Sequence, residues 1–83
     1  MVVTNITPCI KVTKESNMSG IDMYLEYGTK IRITDDNGSI VEGTILSLEL
    51  SQYEEADDIL FLQLENGEQF NIGVSYIVDI EEL

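Results

Sequence analysis

Apolar residues recur along this chain mainly with a period of two. In "KIRIT", Lys30 to Thr34, Ile31 and Ile33 alternate with Lys30 and Arg32, the pattern of a strand with one face inward. Asp35 to Gly38 read "DDNG", and an Asn-Gly pair between two apolar runs predicts a hairpin turn. "SIVEGTILSLEL" then predicts a long strand, with Gly43 marking a bulge or a sharp bend. "SQYEEADD" predicts a loop. "ILFLQL", Ile59 to Leu64, is nearly all apolar, which predicts a strand covered on both faces or lying at an oligomer contact. A second Asn-Gly turn at Asn66-Gly67 leads to the short strand "QFNI". "GVSY" is a tight turn with room for one 3₁₀ turn, and "YIVDI" is a last strand before Glu81, Glu82 and Leu83 trail off.

The first quarter is less regular. Val2 to Ile6 and Ile10 to Val12 predict two short β pieces separated at Thr7-Pro8, because proline offers no ladder donor. "KESNMSG" is a polar connector. Ser19 to Gly28 fits two patterns. Ser19 with Asp22, Ile21 with Leu25, and Gly28 fit two helical turns with a cap. Ile21, Met23, Leu25 and Tyr27 also alternate as a strand would, and the extended reading is slightly favoured.

Five short antiparallel strands with one strong bend predict an all-β chain. The expected fold is a small five-stranded, strongly bent antiparallel barrel over residues 25–83, with an N-terminal β extension over residues 1–24. The segments "EYGTKIRI", "NGSIVEGTI", "DILFLQLENGEQF" and "IGVSYIVDI" resemble the SH3-like small barrels, and among them the Sm-like proteins, over about residues 25–80. The resemblance implies that Gly43 lets the second barrel strand bend and that a short final strand pairs with neighbouring subunits in a ring. It does not extend to the RNA site. Ile72-Gly73 stands where Sm-like RNA binders have Arg-Gly, and the loop before the third barrel strand is anionic.

With 83 residues the chain has the length of one domain, and its hydrophobic content of 43% suits a globular one. No apolar run approaches the roughly 20 residues that span a bilayer. The beginning of the sequence lacks the basic and apolar regions of a signal peptide, so a cytoplasmic location is expected. Cys9 is the only cysteine. It has no disulfide partner and is expected to act as a small apolar strand residue.

Charge changes this picture most. The formal net is −12. Lys11, Lys14, Lys30 and Arg32 are the only cations, and the 51 residues after Arg32 carry 13 acids and no base. Direct nucleic-acid binding draws on Lys and Arg contacts to phosphate, so this composition disfavours it. A basic protein partner suits it better.

No nucleophile–base pair is evident: there is no His, and Cys9 has only Lys11 nearby on its strand face. Clustered surface carboxylates are ordinarily solvated, and so short a chain offers little cleft for acid–base work on a sugar. Asp35, Asp36 and Asn37 facing residues 54–58 could offer oxygens to Ca²⁺, but the spacing of a calcium loop is missing and a solvated turn and loop are favoured. Tyr24, Tyr27, Tyr53 and Tyr76 are too scattered for a proline-peptide groove. Tyr27 and Tyr76 are expected to border the core with wet hydroxyls.

The reading is therefore a non-enzymatic acidic interaction module without cofactor or metal. Glu54, Glu55, Asp57, Asp58, Glu65 and Glu68 would meet a basic partner, such as a nucleic-acid-binding enzyme inhibited by a protein that imitates its substrate, as small phage anti-defence proteins do. The alternatives are a homo-oligomeric Sm-like ring subunit, or a barrel holding a small ligand between subunits. An anionic ligand would need the four cations gathered on one face.

Overall fold

The computed structural model describes residues 1–17, 19–53 and 56–83. It is all-β, with strands β1 (Cys9–Glu15), β2 (Gly20–Glu26), β3 (Lys30–Asp35), β4 (Ile40–Glu49), β5 (Ile59–Gln63), β6 (Gln69–Gly73) and β7 (Ile77–Glu82), and one 3₁₀ turn, η1 (Val74–Tyr76). Strands β1 and β2 form a separate two-stranded sheet. The other five form an antiparallel sheet in the order β6-β5-β4-β3-β7. No helix among the described residues is long and apolar enough to cross a membrane.

The two Asn-Gly pairs turn the chain by the same device. Gly38 and Gly67 take φ of 83° and 87°, where side chains are disfavoured. Asp35 N–H donates to Ser39 O at 2.9 Å and Gly38 N–H to Asp35 O at 3.1 Å. Leu64, Glu68 and Gly67 repeat that pair of bonds at 2.8 and 3.0 Å. These are three-residue hairpin loops closed by a left-handed glycine.

Three residues of η1 join the two opposite edges of the five-stranded sheet. Strands lie about 4.8 Å apart, so a flat sheet would hold those edges about 19 Å from each other. A 3₁₀ turn rises only about 2 Å per residue. The sheet must therefore curl, and β4 does much of the curling. It pairs with β3 through Ile40–Thr44 and with β5 through Thr44–Glu49, sharing only Thr44 between them. The hydrogen-bonded ladder does not run between β6 and β7, so the sheet is strongly bent but open.

Gly43 does not mark a bulge. Its pairing with Ile31 is regular, and the register shift in β4 lies between Ile45 and Ser47, at Leu46. Gly43 is required for closeness instead. A Cβ there would stand 2.9 Å from the Gln63 carbonyl oxygen and 3.3 Å from Leu62 Cβ.

Ile31, Ile33, Ile45, Leu60 and Leu62 are fully buried inside the bend, and Ile80 joins them from β7. The hairpin adds Ile10 from β1 and Leu25 from β2. Residues 20–26 are thus strand, with Leu25 inward and Tyr24 and Glu26 outward. "ILFLQL" is covered fully on one face only: Leu60 and Leu62 are buried, while Ile59 and Phe61 are half-exposed.

Other expectations need correction. Residues 2–6 form no strand, because no neighbouring strand pairs with them; Met1, Val2, Val3 and Ile6 are all exposed. Cys9 lies in β1 as expected but is exposed, since alternation turns Ile10 inward. The C-terminal acids do not trail away: β7 runs to Glu82, which pairs with Ile31.

Candidate interaction surface

Two features stand out, an acidic end of the bent sheet and an apolar groove beside it. The acidic end is assembled around η1. Asp36 N–H donates to Tyr76 O at 2.9 Å, which ties the β3–β4 turn to one side of η1. Val74 N–H donates to Asp58 O at 2.9 Å, which ties the β4–β5 loop to the other. Asp35 and Asp36 are thereby gathered with Asp57 and Asp58 at one end.

Most of these carboxylates are held by backbone amides. Asp35 Oδ1 accepts from Asn37 N–H at 2.9 Å and Ser39 N–H at 2.8 Å. Asp58 Oδ1 accepts from Ser51 N–H at 2.8 Å. Asp57 Oδ2 accepts from the Ser75 hydroxyl at 2.7 Å and the Ser75 amide at 3.0 Å. Those two bonds, the hydroxyl first, hold the Asp57 carboxyl below its ordinary value. The Asp57 charge is thereby fixed in position and persists to lower pH than that of an ordinary aspartate. Exposed apolar groups border it: Ile40, Leu50, Tyr53 and Tyr76.

The sequence-derived acidic set is divided by the fold. Asp57 and Asp58 belong to this end. Glu54 and Glu55 lie outside the described residues. Glu65 and Glu68 sit on the β5–β6 turn, at the other end of β5, and Glu65 is paired with Lys30 at 3.2 Å.

Every cation meets an acid of the same chain. Lys11 lies 3.6 Å from Asp22, Lys14 2.7 Å from Asp79, and Arg32 2.8 Å from Glu42 and 3.6 Å from Glu81. The Arg32 contacts follow from register, since Glu42 and Glu81 are its neighbours on β4 and β7. The cations lie on β1 and β3, and each is already met by an acid of the chain. Among the described residues no three His, Cys, Asp or Glu side chains are grouped to hold a metal.

The groove has a volume of about 630 Å³ and lies between β1 and β7. Ile10, Val12, Leu48, Leu60, Ile77 and Ile80 line it, with Ile21, Val74 and Val78 more exposed around it. The Lys14–Asp79 ion pair links its two walls. Lys14 holds the Asp79 carboxyl below its ordinary value, first by hydrogen bonding and then by its charge, with the Ile80 amide contributing. Nothing in the sequence reading anticipated this groove.

Tyr27 and Tyr76 differ in use. Tyr76 is exposed. The Tyr27 hydroxyl is not merely wet: it accepts from Leu48 N–H at 3.1 Å, beyond the Leu46 bulge where β4 has left β3.

No protein-family model matches the chain, and no curated protein or solved structure matches it.

Proposed function

We propose that the chain is a non-enzymatic interaction module of SH3/Sm-like type whose acidic end docks on a basic protein surface. The observation that carries this reading is the internal pairing of all four cations. Of the fourteen described acids, five meet a cation and nine do not. Asp35, Asp36, Asp57 and Asp58 are among the nine, and three of them are fixed by backbone amides. Fixed anions at one end of a small scaffold suit a surface that recognises phosphate-binding lysines and arginines. A DNA- or RNA-binding enzyme is the partner class with that chemistry, and occupying its site would inhibit it. The exposed Ile40, Leu50, Tyr53 and Tyr76 supply apolar contact, while the charges steer the encounter. Strand order β6-β5-β4-β3-β7 with a 3₁₀ turn between the last two strands supports the SH3-like comparison.

The test is biolayer interferometry of the chain against immobilised DNA- and RNA-binding enzymes, with polylysine as the control for charge alone. Asp36→Lys combined with Glu54→Lys and Glu55→Lys spares the carboxylates that hold the loops. Circular dichroism checks the fold. Binding to a panel enzyme should weaken by about 100-fold, mostly through a slower on-rate. Unchanged affinity in the folded triple variant, or no enzyme bound more tightly than polylysine, would remove the proposal.

A further inference from the structure

The molecule carries two unsatisfied β features with matching chemistry. The first is the N-terminal arm, residues 1–7, which ends where Pro8 O accepts from Tyr27 N–H at 2.9 Å. It has no strand partner, and Met1, Val2, Val3 and Ile6 are exposed; Val2 and Ile6 expose 81% and 85% of their surface. The arm also lengthens the molecule. The Cα radius of gyration is 14.0 Å, against about 12 Å for a compact chain of this length. The second feature is the groove between β1 and β7. Among the described residues β1 is paired only with β2 and β7 only with β3, so each strand keeps one edge without a ladder. Ile21 and Val78, 57% and 64% exposed, leave its apolar lining incompletely covered.

We propose that the arm of one copy of this chain adds as a strand to the free edge of β7 in a second copy, filling the groove. Length supports the match. Pro8 has no donor and ends the pairing run, which leaves the six residues from Val2 to Thr7 for the six of β7. Alternation supports it too. Asn5 and Thr7 share a face and are joined side chain to side chain at 2.8 Å. As a strand, the arm turns Val2, Thr4 and Ile6 to the opposite face, towards the groove. Charge is also favourable. The arm has no acid, so it joins two strongly acidic bodies at the segment where they repel least. The flank it meets includes Asp79, Glu81 and Glu82 of β7. Main-chain ladder bonds would supply affinity and the alternate side chains specificity, as in strand addition generally. Exchange of such an arm between identical chains is a low-cost route to assembly. The contact is separate from the acidic end and does not depend on the partner reading above.

The experiment is light scattering on a sizing column at low and high salt, with the full chain alone. The expected particle is a multiple of the 9.3 kDa chain mass, held more firmly in high salt. Thr4→Pro removes a ladder donor from an exposed, unpaired residue, so the folded body is not at risk. It should return the particle to the single-chain mass. Val78→Glu, on the groove side, should do the same. A second measurement uses two chains carrying Cys9→Ser, one with Thr4→Cys and the other with Val78→Cys. Mixing and oxidising them should yield the disulfide between unlike chains. The proposal is overturned by a full chain that runs as a monomer, by an assembly that survives Thr4→Pro, or by absence of the mixed disulfide.

Discussion

The five-stranded sheet and the β1–β2 hairpin are both antiparallel and similarly rich in β-forming residues, yet they contribute unequally to the core. All five completely buried side chains (Ile31, Ile33, Ile45, Leu60 and Leu62) belong to β3, β4 and β5. The hairpin contributes Ile10 and Leu25, together with the half-buried Val12 and Met23. The sheet wraps the core through its bend while staying open, whereas the hairpin covers one side of that core. A two-stranded ribbon is marginal alone in water. Its order therefore depends on the sheet, and the dependence does not run equally the other way.

The largest effect should come from truncating both regions at comparable positions. Leu62→Ala removes a completely buried side chain from the centre of the sheet and is expected to cost about 4 kcal/mol, a large share of a small domain's stability. Leu25→Ala is expected to cost about 2 kcal/mol, since the hairpin can settle towards the core. Amide hydrogen exchange distinguishes them. Leu62→Ala should lower protection throughout the chain. Leu25→Ala should lower it mainly in residues 9–26. Uniform loss in both variants would make hairpin and sheet one cooperative unit.

Gly43→Ala tests the bend within the sheet. The added methyl meets the Gln63 carbonyl oxygen at 2.9 Å, a backbone atom that cannot swing away. A loss of about 2 kcal/mol is expected, read from the denaturant midpoint. A neutral substitution would mean that β4 and β5 separate here without cost.

These regions were also unequally legible. The turns at Asn37-Gly38 and Asn66-Gly67 follow from residues adjacent in sequence, and both glycines are left-handed. Ile31 and Ile33 inward follow from alternation alone. The bend was expected from Gly43, but its mechanism depends on the approach of Gln63, twenty residues away. β propensity misled at residues 2–6, because propensity describes a strand's suitability and not the presence of a partner. The acidic end was visible as composition, while its organisation was not. Asp57 is held by Ser75 and Asp35 by the turn it begins, and only the second is local. The groove was invisible for the same reason, since β1 and β7 lie at opposite ends of the sequence.

A smaller effect tests how the segment leading out of the hairpin is attached. Tyr27→Phe keeps the ring but removes the acceptor for Leu48 N–H, 3.1 Å away. That amide lies where β4 has parted from β3, so no ladder bond replaces the lost one. The expected cost is about 1 kcal/mol, with faster exchange at Leu48 in particular. Unchanged exchange there would assign the amide's protection to burial rather than to Tyr27.

The smallest expected effect is electrostatic and concerns the link between β1 and β7. Lys14 and the Ile80 amide hold the Asp79 carboxyl below its ordinary value. The folded state therefore binds a proton at Asp79 less readily than the unfolded chain does. Its contribution to stability is complete above the ordinary aspartate value of 3.8 and is lost as pH falls through the lower folded value. Glu81 adjoins the site and takes part in its hydrogen bonding. Lys14→Met isolates the pair while keeping an apolar stem against the groove. Between about pH 5 and pH 3 the thermal midpoint of the variant should fall less steeply than that of the parent chain. Because both partners are partly exposed, the difference should be modest and should shrink in high salt. Equal slopes would mean that the ion pair adds nothing to the apolar packing of Ile10, Val12, Met23 and Leu25 that holds the hairpin.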